Sequence, residues 1–103
     1  MNLFGSGTKT VTTAGTRVRL SDTPVIVTQL WIQPNTGNTG VVVLGDSNVV
    51  AAEGTRQGVA LLDTETLIIG NGSYTFDLRD VWIDATENGD AAHFDYLKSA
   101  GAA

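Results

Sequence analysis

The chain has 103 residues, a net charge of −5 from six basic and eleven acidic side chains, and no cysteine. That describes one domain with a single thin core, and it excludes disulfides, thiolate nucleophiles and cysteine zinc sites. The acidic balance, with Arg17 and Arg19 as the nearest basic pair, argues against a phosphate-tracking surface.

Met1-Asn-Leu-Phe-Gly5 has neither the basic region nor the apolar core of a signal peptide. Apolar runs reach only four residues, too few for a transmembrane helix. The chain is therefore expected to act where it is made, or in a particle assembled there. Its Val, Thr, Gly, Asp and Asn content suits strands and turns rather than helices.

In chain order, Leu3 and Phe4 precede Gly5-Ser-Gly7, which predicts a flexible N-terminal arm over residues 1–8 with an apolar tip. Extended, the arm can reach about 25 Å at roughly 3.3 Å per residue, enough to fill a pocket on a neighbour. The alternative is an arm that folds back onto its own domain or is disordered. Residues 9–98 form the domain, and 99–103 a small-residue tail.

Lys9–Thr13 reads as a first strand and Ala14-Gly15 as its turn. Thr16–Leu20 alternates strictly, with Val18 and Leu20 on one face and Arg17 and Arg19 on the other. Val25–Gln33 is a central strand. Leu30 and Ile32 share a face with Ile26, and Trp31 shares the other with Val25 and Val27. The polar loop Pro34–Gly40 joins it to Val41–Leu44, which predicts a hairpin.

Val59–Leu62 and Glu65–Ile69 read as short strands, Asn71-Gly72 as a tight turn, and Ser73–Phe76 as a strand or covering loop. Asp80–Ala85, with Val81 and Ile83 on one face, and Ala92–Leu97 form a second hairpin turning at Asn88-Gly89. About eight short strands at roughly 8–12-residue spacing predict an all-β antiparallel sandwich, jelly-roll-like, or a small barrel.

Chemistry-bearing groups are sparse. His93, the one histidine, shares a strand face with Asp95, but a general base needs a positioned partner, and a surface histidine is the simpler reading. Asp84, Glu87, Asn88 and Asp90 bunch as calcium ligands can, without the EF-hand order. Asp77, Asp80 and Asp84 offer carboxylates for an acid/base pair, with nothing to set their separation. Gly5–Thr8 and Gly37–Gly40 lack the ending of a phosphate loop.

No catalytic, cofactor or metal residues are therefore expected. Trp31, Trp82, Tyr74, Phe76, Phe94 and Tyr96 can form a sugar platform, a core or interface anchors. If Leu30, Ile32, Val81 and Ile83 face the core, both tryptophans face outward and suggest a covering partner. The opposite assignment, with both inside, is equally open.

The order of elements resembles small structural proteins of tailed-bacteriophage virions. The residues that carry the likeness are Gly15-Thr-Arg-Val-Arg-Leu20, the Asn38-Thr-Gly40 loop, and the aliphatic strand ending in Gly45-Asp-Ser47. Asp77-Leu-Arg-Asp-Val-Trp-Ile-Asp84, Asn88-Gly89 and Phe94-Asp-Tyr96 follow, and the likeness covers about residues 14–97.

The resemblance implies a non-enzymatic capsid decoration (cement) protein or head-fibre base. Its partner would be the major capsid protein, and it would form a homo-oligomer, with a trimer implied by symmetric capsid sites. The implied location is the capsid surface of a virion assembled in the host cytoplasm, with no nucleic acid, membrane or cofactor involved. Candidate partner-binding residues are Leu3, Phe4, Trp31, Arg17 and Arg19. The alternative is a glycan- or receptor-binding module of a phage fibre or tail. A small glycosidase-like enzyme is disfavoured because little scaffold remains to shape a pocket.

Overall fold

The computed structural model describes residues 3–99. Among these residues nine strands run in chain order: β1 Phe4–Thr10, β2 Val18–Arg19, β3 Ile26–Pro34, β4 Val42–Gly45, β5 Val59–Ala60, β6 Leu67–Ile69, β7 Phe76–Asp77, β8 Trp82–Ala85 and β9 Ala91–Lys98. Single 3₁₀ turns occupy Glu53–Thr55 and Leu78–Asp80. The first sheet has the order β1-β9-β3-β6, with β7 also on β3, and the second β2-β8-β4-β5. Every pairing is antiparallel. The chain is thus an all-β antiparallel sandwich.

The core lies between the sheets. β3 contributes Val27, Leu30 and Ile32, β9 contributes Ala92 and Phe94, and β4 and β8 answer with Val42, Leu44, Ile83 and Ala85. The expected alternation holds around β2, where Val18 and Leu20 turn inward and Arg17 and Arg19 outward. On β3 it breaks. A bulge between Val27 and Gln29 inserts one residue, so Val27 joins Leu30 and Ile32 in the core while Ile26 leaves that face.

Both expected hairpins are corrected. β3 and β4 belong to different sheets, and so do β8 and β9. Pro34–Gly40 and Thr86–Asp90 are therefore corners that carry the chain from one sheet to the other. A type I′ hairpin needs positive φ at both central residues. Here only Gly89 has it, at 85°, so Asn88-Gly89 makes a turn without returning the chain alongside itself. The two crossings run side by side, because β3 pairs with β9 before the corner and β4 with β8 beyond it.

The flexible arm is also corrected, in favour of folding back. Phe4–Thr10 pairs with β9 from Phe4 opposite Leu97 to Thr10 opposite Ala91. The glycines do not decouple the segment. Gly5 and Gly7 leave room for the rings of Tyr96 and Phe94, and a β-carbon on Gly7 would stand 2.8 Å from Phe94 Cζ. Leu3 is held too, its carbonyl accepting the Lys98 N–H at 2.7 Å. The Ser99 N–H donates to the Ile26 carbonyl at 3.1 Å, and the rest of the expected tail, 100–103, lies outside the described residues, as do residues 1 and 2.

Candidate docking face

The outward side of the first sheet carries Phe4 on β1, Leu97 on β9, Trp31 on β3 and Ile68 on β6. Cross-strand register assembles them: Phe4 stands opposite Leu97, and Trp31 opposite Ile68. The Phe4 and Trp31 rings lie 6.4 Å apart at 30°. Phe4 is 62% exposed and Ile68 54%, which is high for large apolar side chains. Polar groups rim the patch. Asp95 stands between Ser6 and Trp31, and His93 between Thr8 and Gln33.

The His93 and Asp95 side chains approach to 3.3 Å (Nε2 to Oδ2), and Thr8 Oγ1 lies 3.4 Å from His93 Nδ1. This brings His93 together with Asp95, the residue expected to share its strand face. They stand on an open sheet face beside the apolar patch, in the position of a polar rim.

The second sheet has a different outer face. Val43, Val49 and Ala51 form a small separate core there, with Val41, Ala60 and Trp82 packed against it. The segment after β4 folds over the sheet and roofs it. Beneath it Asp84, 2% exposed, accepts N–H groups from Gly15 at 3.0 Å, Ala51 at 2.9 Å and its neighbour Ala85 at 2.9 Å.

The Arg19 guanidinium lies 5.1 Å from the Trp82 ring centroid, and Arg17 Nη1 donates to the Val49 carbonyl at 3.4 Å. Arg17 and Arg19 therefore stand on the roofed side, and Phe4 and Trp31 on the open side. The candidate partner residues do not form one site. Both tryptophans face away from the main core; one is covered by its own chain, and the other is shared with Phe4.

Of the carboxylates considered for calcium or acid/base work, Asp84, Asp90 and Asp77 are engaged in bracing. Asp90, 3% exposed, accepts the Thr39 N–H at 2.9 Å, the Gly40 N–H at 2.7 Å and the Thr39 hydroxyl at 3.4 Å. Asn38 exchanges two hydrogen bonds with the Ala91 backbone, both at 2.8 Å. Thr86 Oγ1 accepts the Val41 N–H at 2.9 Å, and Asn88 Oδ1 the Ala14 N–H at 2.7 Å. All but the last of these bonds tie the two crossings into one corner, and the Asn88 bond ties that corner to the segment after β1.

Asp77 caps the second 3₁₀ turn and accepts from Arg79 Nε at 3.0 Å and Nη2 at 2.8 Å. The Arg79 side-chain bond is the main cause that holds its carboxyl below the usual range, assisted by backbone N–H groups of Arg79 and Val25. Among the described residues, no group of three or more His, Cys, Asp or Glu could hold a metal ion, and no helix is long and apolar enough to cross a membrane.

Sequence reasoning reached Phe4 and Trp31 but not Ile68 or Leu97. Leu67-Ile68-Ile69 is apolar at every position, so alternation cannot say which side chain turns outward. Leu97 would have followed from Phe94 facing inward, because positions three apart on a strand take opposite faces.

Fold and face together define a small antiparallel β-sandwich with one sheet roofed by its own loops and the other left open. The chain matches no protein-family profile, no curated protein and no solved structure.

Proposed function

We propose that this chain is a non-enzymatic structural protein of a tailed-phage virion. In this reading it is a decoration (cement) protein that binds the outer capsid surface and reinforces it as a homo-oligomer. The docking element is the open face of the first sheet. The observation that carries the reading is the Phe4–Leu97–Trp31–Ile68 patch, which is apolar, exposed at Phe4 and Ile68, half-buried at Leu97 and Trp31, and rimmed by polar groups. The virion setting rests on the resemblance in element order and turn chemistry.

Covering Phe4 and Ile68 would contribute on the order of 3 kcal/mol per copy before the costs of association. Repetition over an oligomer multiplies a small surplus through avidity. Phe4 acts here from a fixed strand, which lowers the ordering cost that a tethered tip would carry.

The test is co-sedimentation with purified capsids that lack the protein. A Phe4→Ser/Ile68→Ser double variant should keep its fold and bind at least about tenfold more weakly. Decoration as tight as that of the parent chain would overturn the docking face. Deleting residues 1–7 is a poor test, since it removes most of β1 and uncovers Phe94 and Tyr96.

A second reading, a glycan- or receptor-binding module, is favoured by one feature. A cleft of about 290 Å³ lies where Pro34 meets the loop after β5, and its polar lining is Gln33, Asn35, Thr36, Asn38, Asp63 and Thr64. Carboxamides, hydroxyls and one carboxylate form a hydrogen-bonding set suited to neutral polyols. Thr64 holds φ at 63°, an unfavourable conformation for a β-branched residue. Glycan-array binding that disappears in Asp63→Ala, with capsid binding absent, would favour this reading over the first.

A further inference from the structure

We propose that β1 is a two-fold pairing edge. Two copies of the chain join β1 to β1, antiparallel, with the axis at Gly7, so that two β1-β9-β3-β6 sheets become one continuous sheet. This deepens the homo-oligomer of the reading above by naming its contact, and it does not require a capsid.

Edge length is the first argument. Sheet edges template pairing with other chains, and proteins commonly blunt them by keeping edge strands short. Here β2, β5 and β7 have two residues each and β6 has three, whereas β1 has seven. β1 ends its sheet, and among the described residues no strand pairs with its other side. β1 also brings no carboxylate to a contact between chains of net charge −5.

Backbone parity is the second argument. The Leu3 carbonyl accepts the Lys98 N–H, and the Val11 N–H donates to the Asp90 carbonyl at 2.8 Å. Odd-numbered positions therefore address β9. In an antiparallel ladder the alternate residues address the other side, so the N–H and C=O groups of Ser6, Thr8 and Thr10 point to the open edge.

Self-complementarity is the third, and it selects a second copy over a foreign strand. With the axis at Gly7, Ser6 of each copy meets Thr8 of the other, and each such pair exchanges two hydrogen bonds. The narrow, non-hydrogen-bonded pairs are then Gly7 with Gly7 and Gly5 with Lys9. Those narrow positions bring Cα atoms to about 4.5 Å. Each copy contributes Gly5, Gly7 and Lys9 to these pairs, so no narrow pair lacks a glycine. Lys9 is the residue on this edge that would resist pairing, and in this register it faces a glycine. An axis at Lys9 would instead set two ammonium groups directly opposite each other, which is destabilising.

The experiment is analytical ultracentrifugation of the full chain with two proline variants. Ser6→Pro and Thr8→Pro each remove an N–H that points away from β9. Each follows a glycine, so the usual clash of proline with the preceding β-carbon is absent. The parent chain should be a dimer. Either proline should weaken dimerisation by about tenfold or more, with circular dichroism unchanged, while Thr8→Ala, which keeps the N–H, stays dimeric.

Amide exchange on the parent chain gives a readout that needs no variant. Ser6 and Thr8 should become protected as concentration rises, while Gly5 and Gly7 stay protected throughout. A monomeric or trimeric parent chain, a dimer indifferent to both prolines, or Ser6 and Thr8 amides indifferent to concentration would each overturn the pairing. Capsid binding by a monomer would overturn the pairing alone, and a dimer that ignores capsids would overturn the docking reading alone.

Discussion

Asp90 and Asp84 are buried carboxylates that accept from main-chain N–H groups and, at Asp90, from the Thr39 hydroxyl as well. Removing such an acceptor leaves donors stranded, which costs more than the bond contributed. Asp90→Ala should therefore destabilise the fold by about 2–3 kcal/mol, read from urea unfolding, because the Thr39 and Gly40 amides lose their acceptor. Asp77 makes a contribution that depends on pH. Its folded-state pKa is depressed, chiefly by Arg79, so the stability it supplies is present above the ordinary carboxylate pKa of 3.8 and lost as pH falls through the lower folded value. Asp77→Asn should flatten the acid limb of the stability–pH profile below that pKa. A parallel, merely shifted profile would mean that Asp77 does not titrate with folding. In the sequence Asp84 and Asp90 were visible as part of a cluster around a turn. Their use was not, because it depends on Thr39, Gly40 and Ala51, which only the fold brings near.

At the scale of elements, strands were legible where one face is buried and the other wet, as at Arg17–Leu20. The bulge on β3 was not legible, since Val25-Ile-Val-Thr-Gln carries no mark of an inserted residue. The two corners read as hairpins because turn chemistry reports that the chain bends, and not which sheet receives it. Gly5-Ser-Gly7 read as a hinge because glycine has the same letter whether it frees the backbone or makes room for a ring. The difference is testable. Gly7→Val adds a branched side chain where Phe94 already lies, and should lower stability by about 1–3 kcal/mol through overpacking. A flexible hinge would accept valine with no change in melting temperature.

For the whole molecule, the asymmetry between the two outer faces decides what the chain can offer a partner. Half of the candidate site was legible: Phe4 and Trp31 were found as apolar groups without an evident core role. Arg17 and Arg19 were misplaced beside them, because periodicity assigns a side chain to a face of its strand but not to a side of the sandwich. The asymmetry also separates the two tryptophans optically. Trp82 is covered by Arg19 and the roofing segment, while Trp31 lies on the open side with Phe4. In a Trp82→Phe variant, fluorescence from Trp31 should shift to the blue when the open face is covered. An unshifted spectrum on binding would place the contact elsewhere.

The braced corner also has a consequence for how the chain reaches this shape. Thr39 and Gly40 are held by Asp90 from 51 and 50 positions away, and β3 pairs with β9 across longer stretches, from Pro34 with Ala92 to Val27 with Lys98. Such loops must close before they return any energy, so folding is expected on the millisecond-to-second scale typical of β-sandwiches. Until the chain reaches Asp90 during synthesis, the residues of β3 and β4 have no corner to settle into. A newly made copy therefore passes its most adhesive moments with β3, the strand that carries Trp31, still waiting for its neighbour. The order in which the sheets close then influences whether copies fold alone or meet one another first.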